Sequence, residues 1–477
     1  MARKTCFGIV GGLGPLAGAD LFQKLIRATP ARRDGDHFDI IIEQHPFEDC
    51  CAPDGSFEPR KRKFYVYNTI KAFEDRNVDI ALIGCFLSHS FLAEIAPELR
   101  PRIVSIFDAL AGHLQTDYPK VVKLGVLTSG YSRRVRLFEK GLPEHRILYP
   151  DDARHNADLS EAIYGPEGIK AGNLGSGVVE MIRRACRNLI AQGAECIVPG
   201  FTEIPLVLDA VRTGIDLPVI DCNQVYAEYA VSCQSGSRMS PGKLGIVGGV
   251  GPAATVDFID KIIRRTAACR DQDHIRMIVE HNPQIPDRTE NLVHGGIDPT
   301  IPLYSACKKL EQAGADAIAI PCNTAHAFIE RIQHHLAIPI LNMLELTVER
   351  IVRQHPHRKN IGLLATTGTV QSGIYRTVLE QAWLKCLVPE VKFQQMVMDV
   401  IYGPQGVKAA FDKECCSRTL HCVIKHLQDM GGELVVLGCT ELPLVVSAAA
   451  ESPSLPIFDP TEILAERCVE LFQHRDS

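Results

Sequence analysis

Nowhere do the 477 residues hold a run of about 18 apolar residues, the length a membrane-crossing helix needs. Nor is there a dense basic block, and the net charge is −6. Nucleic acid and anionic membrane are thereby disfavoured as partners. Metal-ligand spacing is also missing. The 17 cysteines are odd in number and form no CxxC pair and no CxxC…HxxxH pattern. Neither a metal site nor a disulfide scaffold is expected. The glycine-rich start, with an apolar stretch too short for a secretory leader, points to a cytoplasmic protein. There most cysteines would be small buried hydrophobes. What is present is ordinary for a globular chain: 46% hydrophobic and 23% charged residues. Length alone suggests about three domains.

Internal repetition replaces that expectation. Gly8–Ile26 reads GIVGGLGPLAGADLFQKLI and Gly245–Ile263 reads GIVGGVGPAATVDFIDKII, an offset of 237 residues. The same offset carries Cys85 to Cys322, His89 to His326 and Gly125 to Gly362. After one inserted residue, Ile163–Ala171 matches Ile401–Ala409 at seven of nine positions, and TEIPL at 202–206 falls on TELPL at 440–444. The chain is a tandem duplication. Its halves are 1–234 and 243–477, joined by a linker at 235–242 rich in Ser and Gly.

A fainter period lies within each half. Cys322 follows Gly245 by 77 residues, and Cys439 follows Gly362 by 77. Each glycine opens a short apolar run; each cysteine follows one (Ala317–Ile320, Leu434–Leu437) and precedes a helical pattern. Strands and helices alternate, which predicts α/β architecture. Each half would hold two parallel-sheet lobes, at about 1–120 and 121–234, then 243–357 and 358–477. Ligands of such sheets bind outside the carboxyl ends of the strands. Two lobes related by a pseudo-twofold would set Cys322 and Cys439 on opposite walls of one cleft. A thiol at a helix N-terminus is expected to have a lowered pKa. Two such groups could take a proton from one face of a carbon and return one to the other.

The segments PCNTAH (321–326), GCTELPL (438–444) and GIVGGVGP (245–252) resemble the aspartate/glutamate racemase family, which works without pyridoxal phosphate. The resemblance covers the whole second half. It implies one catalytic cysteine per lobe, Cys322 and Cys439, no cofactor, and a cationic clamp on the substrate carboxylate. Arg288 in Ile285-Pro-Asp-Arg-Thr289 and Lys408 match that clamp. Asn323, Thr324, Thr366 and Thr367 match polar substrate contacts, and Thr440 and the Gly249 backbone are expected beside them. His326 and Glu441 would support the cysteines from behind. Structural roles compete at several positions: Lys408 lies in a segment that recurs in both halves, and Glu441 could simply cap a helix. The reading is racemisation of aspartate or glutamate, with a small amino acid as partner. The two halves would pack as an intramolecular pseudo-dimer, or the chain would form a homo-oligomer.

The first half departs from this pattern. Cys85, His89 and Lys170 are kept, but Phe86 and Leu87 replace Asn323 and Thr324, and Phe201 stands where Cys439 does. Ungapped counting sets Cys51 opposite Arg288, unless a slip lets Arg60 compensate. A half without a second acid/base group is expected not to racemise. Two other functions remain open: a single-cysteine lyase, isomerase or decarboxylase, and a regulatory protein that binds an amino acid or carboxylate.

Overall fold

The structure is a computed structural model that describes residues 4–45, 47, 59–150, 153–233, 242–446 and 455–473. Residues 235–241 of the expected linker, and Cys51, lie outside the described residues. The chain divides into two compact units, Met1–Ser240 and Pro241–Ser477.

In the first unit, β1 (Cys6–Val10), β2 (Asp39–Glu43), β3 (Ile80–Ile83) and β4 (Arg102–Ile103) form a sheet of order β2-β1-β3-β4. A second sheet holds β5 (Lys123–Leu127), β6 (Arg146–Leu148) and β7 (Cys196–Pro199) in the order β6-β5-β7. Its fourth position is reduced to a single bridge between Ile197 and Val219. In the second unit, β8 (Lys243–Gly248), β9 (Arg276–His281), β10 (Ala317–Ala319) and β11 (Ile340–Leu341) are ordered β11-β10-β8-β9. Then β12 (Asn360–Ala365), β13 (Lys385–Leu387), β14 (Leu434–Gly438) and β15 (Ile457–Phe458) are ordered β13-β12-β14-β15. Every pairing is parallel.

The central strands are buried along their length, as in β14 and nearly all of β8. Such strands are covered on both faces and read as continuous apolar runs rather than alternating ones. The covering helices are amphipathic. Helix Pro252–Arg265 starts with proline, whose missing N–H costs nothing at that position, and buries Ala254, Thr255, Phe258, Lys261 and Ile262. One apolar core spans both lobes of the second unit, with Leu244, Ile246, Ile361, Leu363 and Leu464 in contact through it. Each lobe has a further core on its other side.

Lys261 is buried, an expensive position for a lone ammonium. It is held by Asp257 at 2.5 Å on its own helix and by Asp459 at 2.7 Å, just before the last helix, Pro460–Gln473. The first unit repeats the device with Lys24 between Asp20 at 2.7 Å and Asp221 at 2.8 Å. In both units this triad ties the first helix of the first lobe to the last helix of the half, fixing how the lobes meet.

Strand order locates the ligand crevice. In each lobe of the second unit the chain runs from the first strand to one neighbour and then crosses to the other side. The reversal falls between β8 and β10 in one lobe and between β12 and β14 in the other. Such switch points open a crevice at the carboxyl ends of the strands.

Candidate active site

Val250 follows β8, Cys322 follows β10, Thr366 follows β12 and Cys439 follows β14, and all four line one cleft of about 280 Å³. Both cysteines thus come from strand ends at the two switch points. The turn carrying Cys322 is braced by His326. Its Nδ1 is 2.9 Å from the Cys322 carbonyl, and its Nε2 accepts from the Met343 amide at 3.2 Å. These contacts require the neutral tautomer protonated on Nδ1. Burial, partly offset by the carbonyl bonds, brings the His326 pKa down to about 4. His326 does not line the cleft and holds no exchangeable charge near neutral pH.

Cys322 precedes a 3-10 turn, Thr324–Phe328, that runs directly into helix Ile329–Gln333, and Cys439 precedes the helix that starts at Leu442. A helix start is expected to lower a thiol pKa. Cys439 shows the reverse: burial, reinforced by Glu441, pushes its thiol well above the ordinary value. Its Sγ donates to Glu441 Oε2 at 3.0 Å.

Arg288 begins helix Arg288–His294, which Asp287 caps through the Glu290 amide. Nη1 donates to the carbonyls of Ile285 at 3.2 Å and Pro286 at 3.1 Å, and Nη2 to that of Val250 at 3.4 Å. Burial works against the charge, but Cys322 and Asp287 beside it outweigh burial and raise the Arg288 pKa. Its Nε is buried without a protein partner, as is Nδ2 of Asn323, whose Oδ1 accepts from Tyr375 at 2.6 Å. An unmet buried donor costs about 1–3 kcal/mol. Both therefore favour a ligand that brings acceptor oxygens.

On the facing wall, Lys408 Nζ lies 3.4 Å from Glu441 Oε1, 3.4 Å from the Tyr402 hydroxyl and 4.5 Å from the centre of the Tyr402 ring. Burial opposes its charge, yet Glu441 and the other groups around it hold its pKa above the ordinary lysine value. Thr324 Oγ1 meets Thr369 at 2.7 Å and Thr366 at 3.3 Å, a hydroxyl cluster joining the lobes. Gly251, at φ +127°, makes close approach possible here: a Cβ would stand 2.9 Å from Glu441 Oε1.

Cys322, Cys439, Arg288, Lys408, Asn323, Thr324, Thr366, Thr440 and Glu441 all line this cleft. Gly249 and Thr367 do not, which corrects two expectations. The Gly249 amide is turned to Thr255 Oγ1 at 3.1 Å, and its φ of +86° serves a tight turn against Asn282 and Pro283. Thr367 starts helix Thr367–Ser372 with its amide on the Met398 sulfur at 3.2 Å. Tyr402, Asp287 and Thr289 line the cleft and were missed. Tyr402 lies in the recurring Tyr-Gly-Pro segment, a signal that reads as fold-bearing. Among the described residues no group of three or more metal-ligating side chains occurs, and no helix is long and apolar enough to cross a membrane.

The first unit has a corresponding cleft of about 350 Å³, lined by Cys85, Phe86, Leu87, Lys170, Phe201 and Glu203 among others. His89 again lies behind, with Nε2 3.2 Å from the Ile83 carbonyl, and burial brings its pKa down to about 4. Lys170 pairs with Glu203 at 2.8 Å, as Lys408 does with Glu441. The cleft does hold a guanidinium, though not from the position opposite Arg288. Arg62 is buried against this cleft, with Nη1 on the Cys85 sulfur at 2.8 Å, whereas Arg60 is exposed. The 237-residue offset holds on both sides of this segment, so Arg62 counts to Pro299: it stands on helix Pro59–Glu74, which corresponds to Thr300–Gln312, whereas Arg288 stands on helix Arg288–His294. Phe201 does occupy the position of the second cysteine, with its ring 6.0 Å from that of Tyr164.

A model of the Asp/Glu/Hydantoin racemase family matches residues 10–230 and again 247–468. The chain is 30% identical over 233 residues to the broad specificity amino-acid racemase RacX of Bacillus subtilis, a match spanning 48% of this chain and 97% of that one. With the glutamate racemase of Aquifex pyrophilus it shares 26% over 140 residues, 28% of this chain and 50% of the other. Among solved structures, the aspartate racemase of Picrophilus torridus is 32% identical with a TM-score of 0.42, covering 48% of this chain and 94% of that one. The chain therefore belongs to the Asp/Glu/hydantoin racemase family and carries two of its domains in tandem.

Proposed function

We propose that the chain racemises an acidic amino acid, aspartate or glutamate, in the cleft of its second half. One observation carries this reading: two sulfurs from different lobes share a cleft with two cations and with buried donors that lack partners. Removing an α-proton places negative charge on the neighbouring carboxylate. Arg288, Lys408 and the Asn323 amide would stabilise that charge in surroundings poor in water. One sulfur, as thiolate, takes the proton; the other, as thiol, gives one to the opposite face; the proton count balances without a further reactant. The two sulfurs are differently placed for this. Cys322 stands beside the Arg288 guanidinium, while Cys439 is bonded as a thiol to Glu441. We assign proton removal from one enantiomer to Cys322. For the other enantiomer Glu441 would first accept the Cys439 proton, with Lys408 beside it.

Incubation with L-aspartate or L-glutamate in heavy water tests the proposal. The α-proton should exchange, and chiral chromatography should show the D enantiomer. A raised melting temperature with no exchange would mark a binding protein instead.

Arg288→Ala should lower kcat/KM by about 10²–10³-fold, the usual loss on removing a preorganised charge stabiliser. Arg288→Lys should fall between, because it keeps the charge but loses the planar fork. Unchanged kcat/KM in Arg288→Ala would remove Arg288 from the carboxylate site.

A further inference from the structure

The Asn323 side chain has two edges of opposite use: its Nδ2 donor would stabilise charge on a carboxylate, and its Oδ1 acceptor would repel it. Oδ1 is held by the Tyr375 hydroxyl at 2.6 Å. That length is ordinary for an O–H donor and short for an N–H donor, so the hydroxyl donates to the amide oxygen. Tyr375 stands on helix Ile374–Gln381 of the second lobe, whereas Asn323 follows β10 of the first, so the bond crosses between lobes. Both residues are 1% exposed. Asn323 lines the cleft and Tyr375 does not, and Nδ2 has no protein partner. Behind them, buried Thr347 shares its hydroxyl between the Met343 carbonyl at 2.6 Å and Tyr375.

The first half has exchanged this polar chain as a unit. At the 237-residue offset Asn323, Tyr375 and Thr347 count to Phe86, Phe138 and Leu110. The register is fixed at the least obvious of the three: the helices carrying Tyr375 and Phe138 each start after a left-handed residue, Gly373 at φ 70° and Arg136 at φ 54°. The three apolar side chains share one core, with the Phe86 and Phe138 rings 5.1 Å apart. A joint change is what a buried polar chain requires, because any member left alone would be unmet.

We propose that Tyr375 is a positioning residue, whose hydroxyl holds the Asn323 amide with Nδ2 turned to the substrate carboxylate. The proposal deepens the racemase reading and rests on it for that carboxylate. A donor fixed before the substrate arrives needs no reorientation as charge develops, and donation into Oδ1 strengthens donation from Nδ2.

The test compares Tyr375→Phe, Asn323→Ala and the double variant in the full chain, with two measurements. These are calorimetric binding of L-aspartate and L-glutamate, and α-proton exchange in heavy water. Tyr375→Phe should weaken binding about threefold and lower kcat for exchange about tenfold, because the interaction grows as the proton leaves. Asn323→Ala should lower kcat about 10²-fold. In that background Tyr375→Phe should change neither measurement by more than about twofold, since no amide is left to orient; a hydroxyl that only braces the fold would act equally in both. Asn323→Asp keeps an acceptor for Tyr375 but sets a carboxylate oxygen where Nδ2 stood, and should bind more weakly than Asn323→Ala. If Tyr375→Phe fails to fold, Asn323→Asp carries the test. Unchanged Tyr375→Phe, additive effects, Asn323→Asp binding at least as well as Asn323→Ala, or no binding of either amino acid by the unmodified chain overturns the proposal. Coupling in binding, from an unmodified chain that exchanges no α-proton, would sustain it and remove racemisation.

Discussion

Replacing Cys439 with serine is expected to reduce interconversion of the two enantiomers by about 10²–10⁴-fold, the cost of losing an acid/base group. Serine keeps the shape of a side chain that is 5% exposed, so the melting temperature should move little. What it loses is acidity: an alcohol beside Glu441 can neither give up a proton to the carboxylate nor return one readily to a carbanion. The variant should keep a partial reaction. Cys322 still faces its own side of the substrate, so one enantiomer should exchange its α-proton in heavy water with retention. Cys322→Ser should show the mirror behaviour, with exchange confined to the other enantiomer. Near-normal interconversion in Cys439→Ser would rule out two-base chemistry, and loss of exchange for both enantiomers would show that the cysteines do not act separately.

Much of this arrangement was legible in the sequence, for identifiable reasons. Apolar runs ending in Gly-Cys or Pro-Cys at a 77-residue spacing are a property of the chain itself, and parallel order follows from strands alternating with helices. Repetition made the reading firm, because a coincidence in one half would not recur in the other. Three features were hidden. Tyr402 lies in a recurring segment, but its place over Lys408 depends on how helix Val391–Tyr402 packs. The thiol environment of Cys439 was hidden because the reach of Glu441 is a three-dimensional fact. Arg62 was missed because it does not stand at the counterpart of Arg288, and neighbouring basic residues at 60, 61 and 63 conceal the one that turns inward. For Gly249 and Thr367, a place beside the cleft in sequence is not a place in its wall.

Cys85→Ala should leave racemase turnover within about twofold of the unmodified chain, whereas Cys322→Ala should abolish it. Arg62 narrows the grounds for this expectation, since Arg62, Lys170 and Cys85 give the first cleft two cations and a sulfur. The case then rests on Phe201, with Phe86 and Leu87 beside it. Inversion needs a proton carrier on each face of the carbon, and a phenyl ring carries none. Among the described residues no tyrosine or lysine stands in for it there: Tyr164 meets the Phe201 ring edge-on, and Lys170 is bound to Glu203 and to the Leu13 carbonyl at 3.0 Å. The apolar pair also removes the amide and hydroxyl that face the substrate position in the second half. Phe201→Cys alone should therefore not create a second racemase, because a new thiol would face a pocket still shaped for an apolar group. Adding Phe86→Asn and Leu87→Thr to Phe201→Cys is the combination expected to restore measurable turnover in a chain whose own site is silenced by Cys322→Ala. Turnover in the Cys322→Ala chain that disappears only when Cys85 is also removed would mean that the first half inverts the α-carbon with one thiol, and the non-catalytic reading would fall.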